Sequence, residues 1–323
     1  MQHTLSIYES GIEDSVFHPK LEILMNTLIQ RALALLFIAT VSALHAQTLY
    51  VSDGSQTIKK VTSGGTVSLF ANFSPFSPVP YGLAFDTSGN LYAAGSSSDQ
   101  ISKITAGGVV SLFATLPVNS NPFGLAIDTA GNLYTANNNS NKISRISPDG
   151  LTVSTFATLP ANTQPYGVAF DSSGNLFVTA IIPHQIIKIT SGGAASVFAT
   201  LPIGSNPTGL AFDTAGNLYV AENGPSLISK ITSGGAVSLF ATLPANSKPD
   251  GLTFDDGGNL YAVGAASNQI SMITPDGLTV STFATGFSAP AFIAAAPTPE
   301  PSTTILILAG GMAWVFKRRR TQG

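Results

Sequence analysis

Apolar residues fall in short blocks separated by polar turns, and the blocks return in a fixed order along the chain. Pro80-Tyr-Gly-Leu-Ala-Phe-Asp86 reappears as Pro122–Asp128, Pro165–Asp171, Pro207–Asp213 and Pro249–Asp255. The glycines of these copies, Gly82, Gly124, Gly167, Gly209 and Gly251, stand 42 or 43 residues apart. Each repeat predicts four strands. Gly-Leu-Ala-Phe is the first, and a turn such as Asp86-Thr-Ser-Gly-Asn90 leads to the second, Asn90-Leu-Tyr92. Ile101–Thr105 is the third, and a Gly-Gly or Pro-Asp-Gly turn opens the fourth, Val110–Ala114. Asp and Gly sit where tight turns need them. A period near forty with four short strands per copy predicts the blades of an all-β propeller.

Six copies of strand two are marked by Leu49, Leu91, Leu133, Leu176, Leu218 and Leu260. Six copies of strand four are marked by Phe70, Phe113, Phe156, Phe198, Phe240 and Phe283. Strand one has five good copies, because the first blade starts at strand two. Pro290-Ala-Phe-Ile-Ala-Ala295 aligns with Pro80–Phe85 and supplies the missing inner strand. The reading is a six-bladed β-propeller over residues 47–296, closed by pairing its two ends, which removes exposed strand edges. The repeats resemble NHL-type propellers and, more loosely, the gluconolactonase-like family. The resemblance rests on Pro-x-Gly-Leu-Ala-Phe-Asp, Asp-x-x-Gly-Asn-Leu-Tyr and Ile-Ser-Lys-Ile.

The two ends have a different character. Arg31 precedes an apolar run, Ala32 to Ala43, with a cleavage site expected after Ala46. That is the pattern of a signal peptide with a helical core, and its usual length makes Met25 the expected start. Residues 297–323 hold a proline-rich spacer, a short apolar helix at 303–316 expected to enter the membrane, and a basic tail, Lys317–Arg320. Pro299-Glu300-Pro301, the apolar run and the arginines resemble the PEP-CTERM sorting signal of Gram-negative bacteria. The resemblance implies recognition by an exosortase, transient membrane anchoring, and a destination at the cell surface or in extracellular polymer.

Composition narrows the chemistry. With 14 basic and 17 acidic residues there is no basic excess of the kind a nucleic-acid face needs. The absence of cysteine excludes disulfides, thiolate metal sites and cysteine nucleophiles. Within 47–296 the only histidine is His184, in a loop between strands two and three, so a Ser-His-Asp triad would depend on it alone. Asp86, Asp128, Asp171, Asp213 and Asp255 repeat at one turn, which marks a fold requirement rather than a calcium site.

Positions that differ between blades are free to serve a site. Between the repeated Pro and Gly the chain places Tyr81, Phe123, Tyr166, Thr208 and Asp250, expected near the channel mouth. These rings either stack on a sugar or peptide beside Asn121, Gln164 and Asn206, or pack as lids over the channel. Four residues past each strand-two leucine stand Asp53, Gly95, Asn137, Ala180, Glu222 and Gly264. Gluconolactonase-like relatives hold a divalent cation through Glu, Asn and Asp, so Asp53, Asn137 and Glu222 are the candidate ligands for Ca2+ or a similar ion. The ligand-binding candidates are therefore Tyr81, Phe123, Tyr166, Asp250, Asn137 and Glu222. The expected function is an exported module binding polysaccharide or protein, without a cofactor or catalytic residue. The alternative is a divalent-cation-dependent lactonase- or lyase-like hydrolase.

Overall fold

The computed structural model describes residues 47–74 and 78–297, together with Thr27, Leu28 and Arg31, which are helical. The chain divides into two compact units, Met1–Ala46 and Gln47–Gly323. The expected signal-peptide core, the sorting motif Pro299–Pro301 and the apolar helix at 303–316 lie outside the described residues, apart from those three. Among the described residues no helix is long and apolar enough to cross a membrane.

Residues 49–295 form twenty-four strands in six four-stranded antiparallel sheets, as the repeat predicts. Blades 2 to 6 run in chain order from inner to outer strand, with inner strands Pro80–Phe85, Pro122–Ile127, Pro165–Phe170, Pro207–Phe212 and Pro249–Phe254. Blade 1 has the order β24 (Pro290–Ala295), β1 (Leu49–Asp53), β2 (Thr57–Val61), β3 (Val67–Asn72), so the last strand is the inner neighbour of β1. Their register places Leu49 opposite Ala295 and Val51 opposite Ile293. Lys59 Nζ meets Asp53 Oδ2 at 2.7 Å and the Gly286 carbonyl at 2.6 Å, while Ser288 N–H donates to Asp53 Oδ1 at 2.6 Å. The closure is thus both a strand pair and a polar clasp.

Blade faces pack on each other through strand-two aromatics. Tyr134 meets Phe156 of its own blade at 4.9 Å and Phe170 of the next at 5.0 Å, both edge to face. Tyr219 repeats this with Phe240 and Phe254. Such pairs contribute about 0.5–1.5 kcal/mol each beyond their buried area. The repeated aspartates act as expected. Asp86 Oδ1 accepts the Ser88 and Asn90 N–H groups, and Oδ2 accepts Asn90 Nδ2 and the Tyr92 hydroxyl. Burial opposes ionisation of Asp86, but these hydrogen bonds outweigh it and hold the carboxyl below its ordinary range.

Around the axis, inner strands approach backbone to backbone. A Cβ on Gly82 would lie 2.1 Å from the Phe123 carbonyl oxygen, and one on Gly209 would lie 2.1 Å from that of Asp250. The repeated glycine is therefore required by close approach. Blade 1 breaks the rule: the alignment puts Phe292 at the glycine position of β24, and its ring is buried in a small cluster with Tyr166 and Ala291.

Candidate functional site

Each inner strand of blades 2 to 6 carries a bulge directly after its proline, for example between Pro165 and Val168. The residue between Pro and Gly lies inside that bulge, and a bulge re-aims a side chain out of the ladder. Tyr81, Phe123, Tyr166, Thr208, Asp250 and Ala291 thus occupy equivalent positions on six blades. The structure brings most of them together. Tyr81 and Phe123 meet edge to face at 4.9 Å, and Phe123 stacks on Tyr166 at 4.6 Å. Tyr166 stacks in turn on Phe292 at 5.5 Å. Tyr166 and Phe292 are buried, whereas Tyr81 and Phe123 stay partly exposed. The rings pack on one another, as the lid alternative expects, and Tyr81 and Phe123 keep partly exposed surface. Ile181 joins this cluster from the strand-two end of blade 4.

Asp250 joins this group of inner-strand residues, the axial cup, with 8% of its surface exposed. Its Oδ2 accepts the Tyr166 hydroxyl at 3.4 Å, and its Oδ1 accepts Asn223 Nδ2 at 3.2 Å. Burial drives its pKa up to about 7, against the pull of those two hydrogen bonds. Burial and the nearby Asp250 charge raise the hydroxyl pKa of both Tyr81 and Tyr166. Thr208 Oγ1 lies 2.8 Å from the Pro249 carbonyl and so helps fix the strand that carries Asp250. A carboxyl that is part neutral and part ionised near neutral pH, set in an apolar cup, is suited to proton transfer.

The second ring of candidates is placed differently from expectation. Asp53, Asn137 and Glu222 each turn toward strand three of their own blade. Asp53 pairs with Lys59, Asn137 Nδ2 donates to Ser144 Oγ at 2.7 Å, and Ser229 Oγ donates to Glu222 Oε1. The same pair of positions is apolar in blade 4, as Ala180 and Ile187. Asp53, Asn137 and Glu222 are thus each bonded to a neighbour on strand three of their own blade, and Asp53 also to the closure through the Ser288 N–H. Asn137 Oδ1 and Thr135 Oγ1 are buried without a partner, but they are neutral oxygens with no carboxylate beside them. Among the described residues no three Asp, Glu or His side chains gather. A divalent cation, which asks for several hard oxygens including charge, does not fit this donor set.

Sequence reasoning missed Asn223, Ile181 and Phe292. Strand side chains alternate in direction, so the residues one place further, Asn223 after Glu222 and Ile181 after Ala180, are those that reach the cup. Phe292 was visible as the one residue at an aligned glycine position that is not glycine.

His184 has a structural role. It occupies the loop position held in other blades by Asp99, Asn141, Ser226 and Asn268, all with positive φ near 50–60°. Asp99 carboxylate oxygens accept the Asn119 and Asn121 N–H groups at 2.8 and 2.7 Å. Asn141 and Asn268 each accept one N–H of the next inter-blade loop in the same way. His184 faces the Gly204 and Asn206 N–H groups at 3.2 and 3.3 Å. It is the blade 4 copy of a latch.

A family model described as the virginiamycin B lyase family matches residues 39–202 and 74–295. No curated protein sequence matches the chain. Among solved structures, a streptogramin B lyase is 24% identical over 74% of each chain, with a TM-score of 0.56. A catalytically inactive histidine-to-alanine variant of virginiamycin B lyase from Staphylococcus aureus, solved with quinupristin, is 22% identical. It covers 78% of this chain and 93% of its own, with a TM-score of 0.60. A chain of a nidogen–laminin complex reaches a TM-score of 0.68 at 20% identity, over 78% of this chain and 99% of that one. At these identities the structural likeness is one of fold. The family match favours the lyase-like alternative over the binding module.

Proposed function

The chain belongs to the virginiamycin B lyase family, and on that premise we propose that it is a lyase acting at the axial cup through Asp250. The observation that carries this reading is the buried carboxyl of Asp250, raised to about 7 and held by Tyr166 and Asn223. Its carboxylate takes a proton from a carbon beside a carbonyl. The C–H electron pair becomes a double bond as the leaving oxygen departs, and Asp250 returns the proton to that oxygen. A base with a pKa near the working pH combines an adequate ionised fraction with adequate strength. Tyr81 and Phe123 offer flat surface for the substrate above the carboxyl. One relative is inactive without a histidine, whereas His184 is the only histidine within residues 47–296 and is committed to a loop latch. Proton transfer at this mouth therefore falls to Asp250 and Tyr166.

Quinupristin is the first probe. Elimination within a ring opens it at unchanged mass, whereas hydrolysis adds one water. Opening at unchanged mass by the native protein, absent in Asp250→Asn, supports the reading. Undiminished turnover in that variant overturns it. Tight retention without turnover restores the binding module, which the half-exposed Tyr81 and Phe123 rings favour. The polypeptide is further read as exported and sorted by an exosortase through Pro299-Glu300-Pro301, so the mature protein isolated from its own host should lack the basic tail by mass spectrometry.

A further inference from the structure

Of the blade latches, the one made by His184 bears directly on the cup. Its loop supports Asn223: Asn206 O accepts the Asn223 N–H at 3.2 Å, and Ser205 O accepts the Gly224 N–H at 3.1 Å. Gly224 packs so tightly on this loop that a Cβ there would lie 1.9 Å from the Gly204 carbonyl oxygen. Asn223 then donates to Asp250. One chain of contacts therefore runs from the imidazole through residues 204–206 to the carboxyl. Asn206 is itself at a φ of 48°, a left-handed conformation that Asn adopts more readily than most residues.

The imidazole is a poorer latch than the Asp99 carboxylate in the same position of blade 2. Asp99 has a separate oxygen for each N–H. A neutral imidazole has one ring nitrogen able to accept, so it satisfies one of the two N–H groups that face it, and an imidazolium satisfies neither. The groups directed at the ring are these two amides. Neither ion pair seen among the described residues involves His184.

We propose that His184 is a positioning residue for Asp250, holding Asn223 against that carboxyl through the loop 204–206. This deepens the reading of Asp250 as the proton-transfer group, and it is tested without turnover.

The experiment is NMR on the full propeller, following amide hydrogen exchange at Gly204 and Asn206 and the 13Cγ shift of Asp250 in native, His184→Asp and His184→Ala proteins. Protection of Gly204 or Asn206 should be about tenfold lower in His184→Ala than in the native protein after correction for intrinsic exchange, the loss of one hydrogen bond. The Asn223 side-chain amide signals and the Asp250 13Cγ shift should move in the same variant. In His184→Asp, which installs the blade 2 residue, protection should be kept and the Asp250 13Cγ shift should stay near the native value. Protection unchanged in His184→Ala, or an Asp250 13Cγ shift identical in native and His184→Ala proteins, overturns the proposal. A protein that fails to open quinupristin yet shows these shifts refutes the lyase reading alone.

Discussion

Asn223 Nδ2 donates to Asp250 Oδ1 at 3.2 Å, tying the strand-two end of blade 5 to the inner strand of blade 6. With the Tyr166 hydroxyl on the other oxygen, this bond fixes a carboxyl beside a cluster of mostly aromatic side chains. Burial there disfavours the charged form, which gives the first prediction its sign.

Asp250 has a raised pKa in the folded protein, to about 7, so the unfolded chain ionises first as pH rises. The contribution of this residue to stability is fully present below the unfolded value of about 4, falls through the interval, and is lost above about 7. Asp250→Asn should therefore raise stability by up to about 4 kcal/mol at pH 8. The difference should shrink toward zero near pH 4, as read from urea unfolding at both values.

Tyr81 is half-buried, and its contacts in the cup are to Phe123 and the field of Asp250. Tyr81→Ala should weaken quinupristin binding by roughly tenfold, the worth of one ring contact, while costing little stability. Calorimetry beside a melting curve separates the two effects. Unchanged affinity excludes this ring from the binding surface.

Phe292 fills the glycine position of blade 1 beneath Tyr166. Phe292→Ala should destabilise by about 3 kcal/mol through the cavity it leaves. The loss should be visible as a fall in melting temperature and a less restrained Tyr166 ring.

Lys59 neutralises Asp53, whose side chain is fully buried. Lys59→Met leaves an unpaired charge in the closure, and a loss of about 3 kcal/mol or more is expected. Adding Asp53→Asn should recover much of it, and a double-mutant cycle in denaturant measures the coupling.

The fold was legible because its requirements recur. Leu-x-Phe spacing, the Asp-x-x-Gly-Asn turn and the close-approach glycines each obey a constraint met in nearly every blade, so their period reveals blade number and strand order. Closure was legible too, because Pro290–Ala295 carries the inner-strand pattern without a following strand two. The cup was half legible. Its six inner positions follow from the Pro-x-Gly register, but the choice of Glu222 over Asn223 depended on side-chain direction, which a bulge and a strand end reset. Asp53 and Glu222 looked available because sequence does not reveal that Lys59 and Ser229, each two places along from the residue directly opposite (Thr57 and Leu227), reach their carboxylates across a hairpin. The repeat likewise concealed His184, since its equivalents in other blades are Gln, Asp, Asn and Ser.

Joining β24 to β1 also dictates an order of events in time. The N-terminal strands emerge first, yet their inner edge stays open until a segment more than two hundred residues later has been made. The nascent molecule must hold a ring lacking one inner strand, with unfilled backbone donors, until that last strand arrives. Ending translation before Pro290 should then yield an aggregating fragment rather than a smaller stable ring.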